Sequence, residues 1–142
     1  MDRLEDVPVR WSTVVEHSQR ALDDASQRLR AALPDGVDDR SDDITLVAEA
    51  LLENALLHGA PPVHLTLRED ARLLAVEVSD GNSRLPRLHL APVDGYRLRR
   101  GLTVIERLAD KLDMRLLPNG KVVRAVFERH RPPGSDGETG KD

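Results

Sequence analysis

One carboxamide and one aspartate carry most of the chemistry that this sequence offers. Stepping residues 43–58 (DITLVAEALLENALLH) around a helix, about 100° per residue, puts Asn54 among Val47, Ala50, Leu51, Leu57 and His58, with Ile44 and Leu46 just outside. An amide set on such an apolar face without partners costs about 1–3 kcal/mol. Either Asn54 is a structural knot, or it faces a ligand. His58 stands one turn further along the same face and reads more readily as a packing or hydrogen-bonding residue than as a metal ligand. Two carboxylates lie near but off that face, Glu49 about 140° around the helix from Asn54 and Glu53 about 100°. Further on, Asp80-Gly81 follows an apolar segment. It is either a plain turn or a carboxylate delivered to a site where glycine lets the backbone approach closely.

The elements that must position these residues follow from the apolar spacing. Ser12 can cap a first helix running to about Leu33, stopped by Pro34-Asp35-Gly36. Ser41 or Asp42 can cap the Asn54 helix, which Gly59 and Ala60-Pro61-Pro62 end. The period then changes to two. Val63, Leu65 and Leu67 alternate with His64, Thr66 and Arg68, and Leu73 to Val78 follow a four-residue turn, so a hairpin is expected. Residues 82–100 show no sustained period and read as a long loop bearing Arg84, Arg87, Arg97, Arg99 and Arg100. Gly101 to Leu112 returns to helical spacing, and Met114–Leu117 and Val122–Phe127 flank a Pro118-Asn119-Gly120 turn as a closing hairpin. The segments divide as 1–11 N-terminal, whose first ten or so polar residues are either loose or a short edge strand, 12–129 domain and 130–142 a Pro/Gly/charged tail expected to be disordered. This order predicts an α+β two-layer sandwich, with helices on one face of a mostly antiparallel sheet.

Composition narrows the function. A chain of 142 residues makes one domain with a real core. Its net charge of −4 and its three aromatics argue against nucleic-acid binding, since neither a basic field nor a stacking platform is present. The absence of cysteine excludes disulfides and thiolate metal sites. No apolar run reaches the roughly 18 residues of a membrane span, and the charged start lacks a signal-peptide core, so a cytoplasmic location is expected.

Glu-Asn-Ala-Leu-Leu-His-Gly (53–59), a strand ending Val-Ser-Asp-Gly (78–81) and Arg-Gly-Leu (100–102) after a long loop occur in that order. Together they resemble the ATP-binding domain shared by histidine kinases, Hsp90 and type II topoisomerases, over roughly residues 12–129. Within that superfamily the chain looks most like the small anti-sigma-factor serine kinases. The resemblance implies ATP and Mg²⁺ as cofactors. It implies that Asn54 coordinates Mg²⁺ and that Asp80 accepts a hydrogen bond from the adenine amino group, with Gly81 and His58 beside them. The loop would act as a lid, and Arg100, Gly101 and Leu102 would meet phosphate at a helix start. It also implies partner switching between a sigma factor and a STAS-type antagonist, with homodimers common in the family. In active members a glutamate four residues before the asparagine polarises the attacking hydroxyl; here that position is Ala50. A serine/threonine kinase would then have to use Glu49 or Glu53. The alternatives are a nucleotide binder that sequesters its partner without phosphorylating, and a nucleotide-independent interaction module that keeps the fold alone.

Overall fold

A computed structural model describes residues 6–82 and 105–129. Five strands form one antiparallel sheet: β1 (Val9–Val15), β2 (Val63–Glu69), β3 (Leu73–Asp80), β4 (Lys111–Leu117) and β5 (Gly120–Glu128). Their order across the sheet is β1-β2-β3-β5-β4. Two helices, α1 (Gln19–Ala32) and α2 (Ser41–His58), cover one face, α2 against β3 and β5 and α1 against α2 and β1. The predicted α+β architecture is therefore the one observed.

Alternation along the strands decides which side chains meet the helices. Leu65 pairs with Val78 and Leu67 with Val76, while Val123, Ala125 and Phe127 continue the same rows on β5. All are buried, and they pack against Leu22, Leu29, Ile44, Val47, Leu51 and Leu52 from the helices. Asp80 and Lys121 fall on this same inner face, at the end of the sheet where α2 terminates. The outer face carries charge in a row: Arg68 Nε and Arg124 Nε lie 3.0 Å and 2.6 Å from Glu77 Oε2, and Arg124 Nη1 lies 3.4 Å from Asp113.

Three expectations need correction. Ser12 caps no helix; it pairs with Thr66 inside β1, and the cap is Ser18, whose side chain accepts from the Ala21 N–H at 3.1 Å. The apolar Val14 and Val15 suited both readings, and pairing with β2 settled them as strand, a tertiary effect that local spacing does not carry. The edge strand begins at Val9, within the N-terminal stretch where a short edge strand is one of the two readings, and runs on to Val15. Neither Ser41 nor Asp42 caps α2. Arg40 occupies that position without a side-chain cap, and its guanidinium instead reaches the carbonyls of Leu108 and Glu128. Finally, the helix expected over 101–112 is a helical turn at 105–108, and Lys111 and Leu112 belong to β4. The Asp110 N–H donates to Val126 O at 2.8 Å and so starts the strand two residues after the helical turn ends. Residues 101–104 of the expected helix, the loop from 83 to 100 and the tail lie outside the described residues.

Candidate functional site

Three hydrogen bonds build the corner where α2 ends beside the end of β3, and two of them join the two segments. Gly59 N–H donates to Ala55 O at 2.9 Å, closing the helix. Gly81 N–H donates to Ala60 O at 2.6 Å, and the Asn82 side-chain amide donates to His58 O at 3.0 Å. The approach is close enough to exclude side chains. A Cβ on Gly59 would sit 2.6 Å from Asp80 Cγ and 2.7 Å from Asp80 Oδ2, and one on Gly81 would overlap the Pro61 carbonyl oxygen. Glycine is needed at both places because two backbones and a carboxylate share that space.

Asp80 is the charged centre of this corner, with its side chain only 3% exposed. Lys121, on the facing residue of β5, places Nζ 3.0 Å from Oδ2 and 3.2 Å from Oδ1. The Asn82 backbone N–H donates to Oδ1 at 2.7 Å, and Lys121 Nζ donates in turn to Asn82 O at 3.2 Å. A carboxylate buried this deeply survives because it is paired and hydrogen-bonded.

Asn54 is half-buried, at the flank of the buried stripe of α2 rather than its middle. The stripe runs through Ile44, Val47, Ala48, Leu51, Leu52 and Ala55, whereas Leu57, expected beside Asn54, and Leu46, expected just outside that set, are exposed. No side-chain hydrogen bond joins Asn54 to a described residue. The Nε2 of His58 is buried and also has no hydrogen-bond partner. So neither member of the polar pair is a satisfied knot. The two carboxylates go elsewhere: Glu49 accepts from Ser26 Oγ at 3.2 Å in the α1–α2 interface, and Glu53 is exposed. Ala50 is buried.

The structure therefore brings Asn54, His58, Asp80 and Gly81 to one end of the helix–sheet layer and leaves Glu49 and Glu53 off it. Arg100, Gly101 and Leu102, together with Arg84, Arg87, Arg97 and Arg99, lie outside the described residues. Sequence reasoning missed Lys121 and Asn82. The signal for Lys121 was available, because pairing the last strand antiparallel with Leu73–Asp80 puts the residue after Gly120 opposite Asp80.

The donor set suits a nucleotide with its magnesium. Among the described residues no group of three or more His, Asp or Glu side chains converges to hold a metal alone. A lone carboxamide is nevertheless a suitable hard ligand when phosphates and water supply the remaining oxygens, as they do for Mg²⁺. Among the described residues, a separate cleft lined by Val37, Arg40, Ile44, Leu74, Phe127 and Arg129 opens at the opposite end of the sheet and contains none of the expected site residues. No helix of the described residues is long and apolar enough to cross a membrane.

Comparison with known proteins agrees with this architecture. The family described as the histidine kinase-like ATPase domain matches residues 14–127. No curated protein matches the chain. Among solved structures, the histidine kinase AdeS of Acinetobacter baumannii is similar with a TM-score of 0.53 at 11% identity, over 85% of this chain and 68% of that one. The histidine kinase domain of the blue-light-activated kinase EL346 from Erythrobacter litoralis gives 0.49 at 16%, over 78% and 58%. At such identities the structural likeness concerns the fold alone.

Proposed function

The chain belongs to the histidine kinase-like ATPase domain family, and from that premise we propose that it is an ATP-binding regulatory protein of the anti-sigma-factor serine kinase type. Its nucleotide-loaded form would hold a sigma factor, with a STAS-type antagonist competing for the same surface in the cytoplasm. The observation that carries the reading is that an unengaged carboxamide, Asn54 in the last turns of α2, and a buried carboxylate, Asp80 at the end of β3, stand at the same end of the α2–β3 layer. Asn54 would hold Mg²⁺ together with phosphate oxygens, and Asp80 would accept from the exocyclic amino group of adenine.

Within that reading, holding is favoured over phosphotransfer. Ala50 stands where active relatives carry the general base, Glu49 is committed to Ser26, and Glu53 is exposed. A general base must lie within hydrogen-bond reach of the proton that it takes.

Calorimetry of the full chain with ATP and with ADP, each with and without Mg²⁺, tests the proposal. Magnesium-dependent binding that differs between the two nucleotides is expected. Silence with both nucleotides would sink it and leave the nucleotide-independent interaction module. Transfer of labelled phosphate to a STAS-type antagonist, lost on Glu49→Gln or Glu53→Gln, would instead establish a working kinase.

A further inference from the structure

Lys121 lies outside the three motifs that the sequence singles out, yet it makes the closest charged contact with the carboxylate at the centre of the corner. A carboxylate offers about four acceptor positions, two on each oxygen. On Asp80, Oδ1 takes the Asn82 N–H at 2.7 Å and Lys121 Nζ at 3.2 Å, so both of its positions are used. Oδ2 takes only Lys121 Nζ, at 3.0 Å. One position on Oδ2 is left without a partner among the described residues. Lys121 is itself held, because Nζ donates back to Asn82 O at 3.2 Å and its side chain is only 6% exposed. The ammonium, the carboxylate and the Asn82 backbone thus form a closed ring that fixes which way Asp80 faces.

We propose that Lys121 is the positioning residue of base recognition, fixing the Asp80 carboxylate so that its one unused acceptor, on Oδ2, selects a 6-aminopurine over a 6-oxopurine. The inference rests on the nucleotide reading above and adds to it a residue and a selectivity. The 6-amino edge presents an N–H to the open position on Oδ2, whereas the 6-oxo edge presents a lone pair to a carboxylate and is repelled. Lys121 supplies the counter-charge that a carboxylate this deeply buried requires.

Calorimetry with Mg-ATP and Mg-ITP, the latter carrying hypoxanthine, reads the selectivity directly. The wild-type chain is expected to prefer ATP by about tenfold or more, the equivalent of one charge-assisted hydrogen bond. In Asp80→Asn the lysine and the Asn82 N–H demand the amide oxygen, so the –NH₂ turns outward and the preference inverts towards ITP. In the double variant Asp80→Asn, Lys121→Met the amide turns freely, and the two nucleotides should bind within about threefold of each other, since no charged partner remains to set its direction. A lysine with a structural role only would weaken both nucleotides alike and leave the two variants with the same ratio. Equal ratios in the two variants, or a wild type indifferent to the base, therefore overturn the Lys121 assignment while ATP binding stands. A folded wild type that binds neither nucleotide removes the nucleotide reading and this inference together. The double variant removes both charges at once, which keeps the comparison usable if Lys121→Met alone does not fold.

Discussion

Two buried ion pairs join β3 to β5, three residues apart and on opposite faces, and they are built differently. On the outer face Glu77 stands between Arg68 and Arg124, with Arg124 reaching on to Asp113, so charge alternates across four strands. On the inner face Asp80 has one cation, Lys121, and its other neighbours are a backbone N–H and a glycine. Glu77 is enclosed by cations on both sides, whereas Oδ2 of Asp80 has a single partner among the described residues, Lys121. Burial alone therefore does not mark a site; both acids are more than nine-tenths buried. What distinguishes them is whether the protein has used up the acceptor.

The largest effect expected from this contrast is on stability. Lys121→Met leaves Asp80 buried without a counter-charge and should lower unfolding free energy by about 3–5 kcal/mol. Arg124→Met leaves Glu77 its second partner Arg68 and should cost less, about 1–3 kcal/mol. Urea denaturation of both variants, read as midpoint shifts at constant slope, checks the order. If the two costs come out reversed, the account of Asp80 as the singly supported acid fails. Arg124→Met should also leave ATP affinity unchanged, because Arg124 lies on the face away from the corner.

Next in size is Gly59→Ala. Its methyl would meet Asp80 Cγ at 2.6 Å and Ala55 O at 2.7 Å, both attached to fixed backbone, so the end of α2 must move away from β3. Overpacking of this kind costs about 1–3 kcal/mol. A substitution on the outer face that adds no atoms, Thr66→Ala, meets no such approach and should cost less, within about 1 kcal/mol from lost strand preference. Thermal melts of the two variants check the order; a Gly59→Ala loss no larger than that of Thr66→Ala would show that the corner yields to the added methyl.

How much of this was legible in the sequence depends on how local each signal is. The hairpin of β2 and β3 and the body of α2 could be read because period and punctuation agree over many residues. The turn at Pro118-Asn119-Gly120 likewise announced the last hairpin. The first strand was legible only as an optional edge strand over the first ten or so residues, and its course through 12–15 was hidden, because Val14 and Val15 fit a helical face as well as a sheet edge and only pairing with His64 and Val63 decides. Leu112 failed for the same reason, counted as the last apolar position of a helix although it faces Ala125 across a strand pair. Of the candidate site, Asp80 and Gly81 announced themselves by type and position. Lys121 did not, since a lone lysine after a turn reads as surface until the register sets it against a carboxylate.

The smallest stability effect belongs to the residue with the most chemical interest. Asn54→Ala removes a carboxamide that makes no side-chain hydrogen bond to a described residue, on a helix position that is only half-buried. Alanine is the better helix former by up to about 0.7 kcal/mol, so the variant should be neutral or slightly more stable. Magnesium-dependent ATP binding should nevertheless be lost, and that dissociation between stability and binding is the signature of a group kept for a ligand. A structural amide behaves in the opposite way, because its loss orphans a buried partner and costs about 1–3 kcal/mol. A destabilisation of that size in Asn54→Ala, with Mg-ATP affinity retained, would move Asn54 to the same category as Glu77 and leave Asp80 as the only polar anchor of the corner. The two readouts come from one variant and point in opposite directions under the two readings, so neither result can be absorbed by the other.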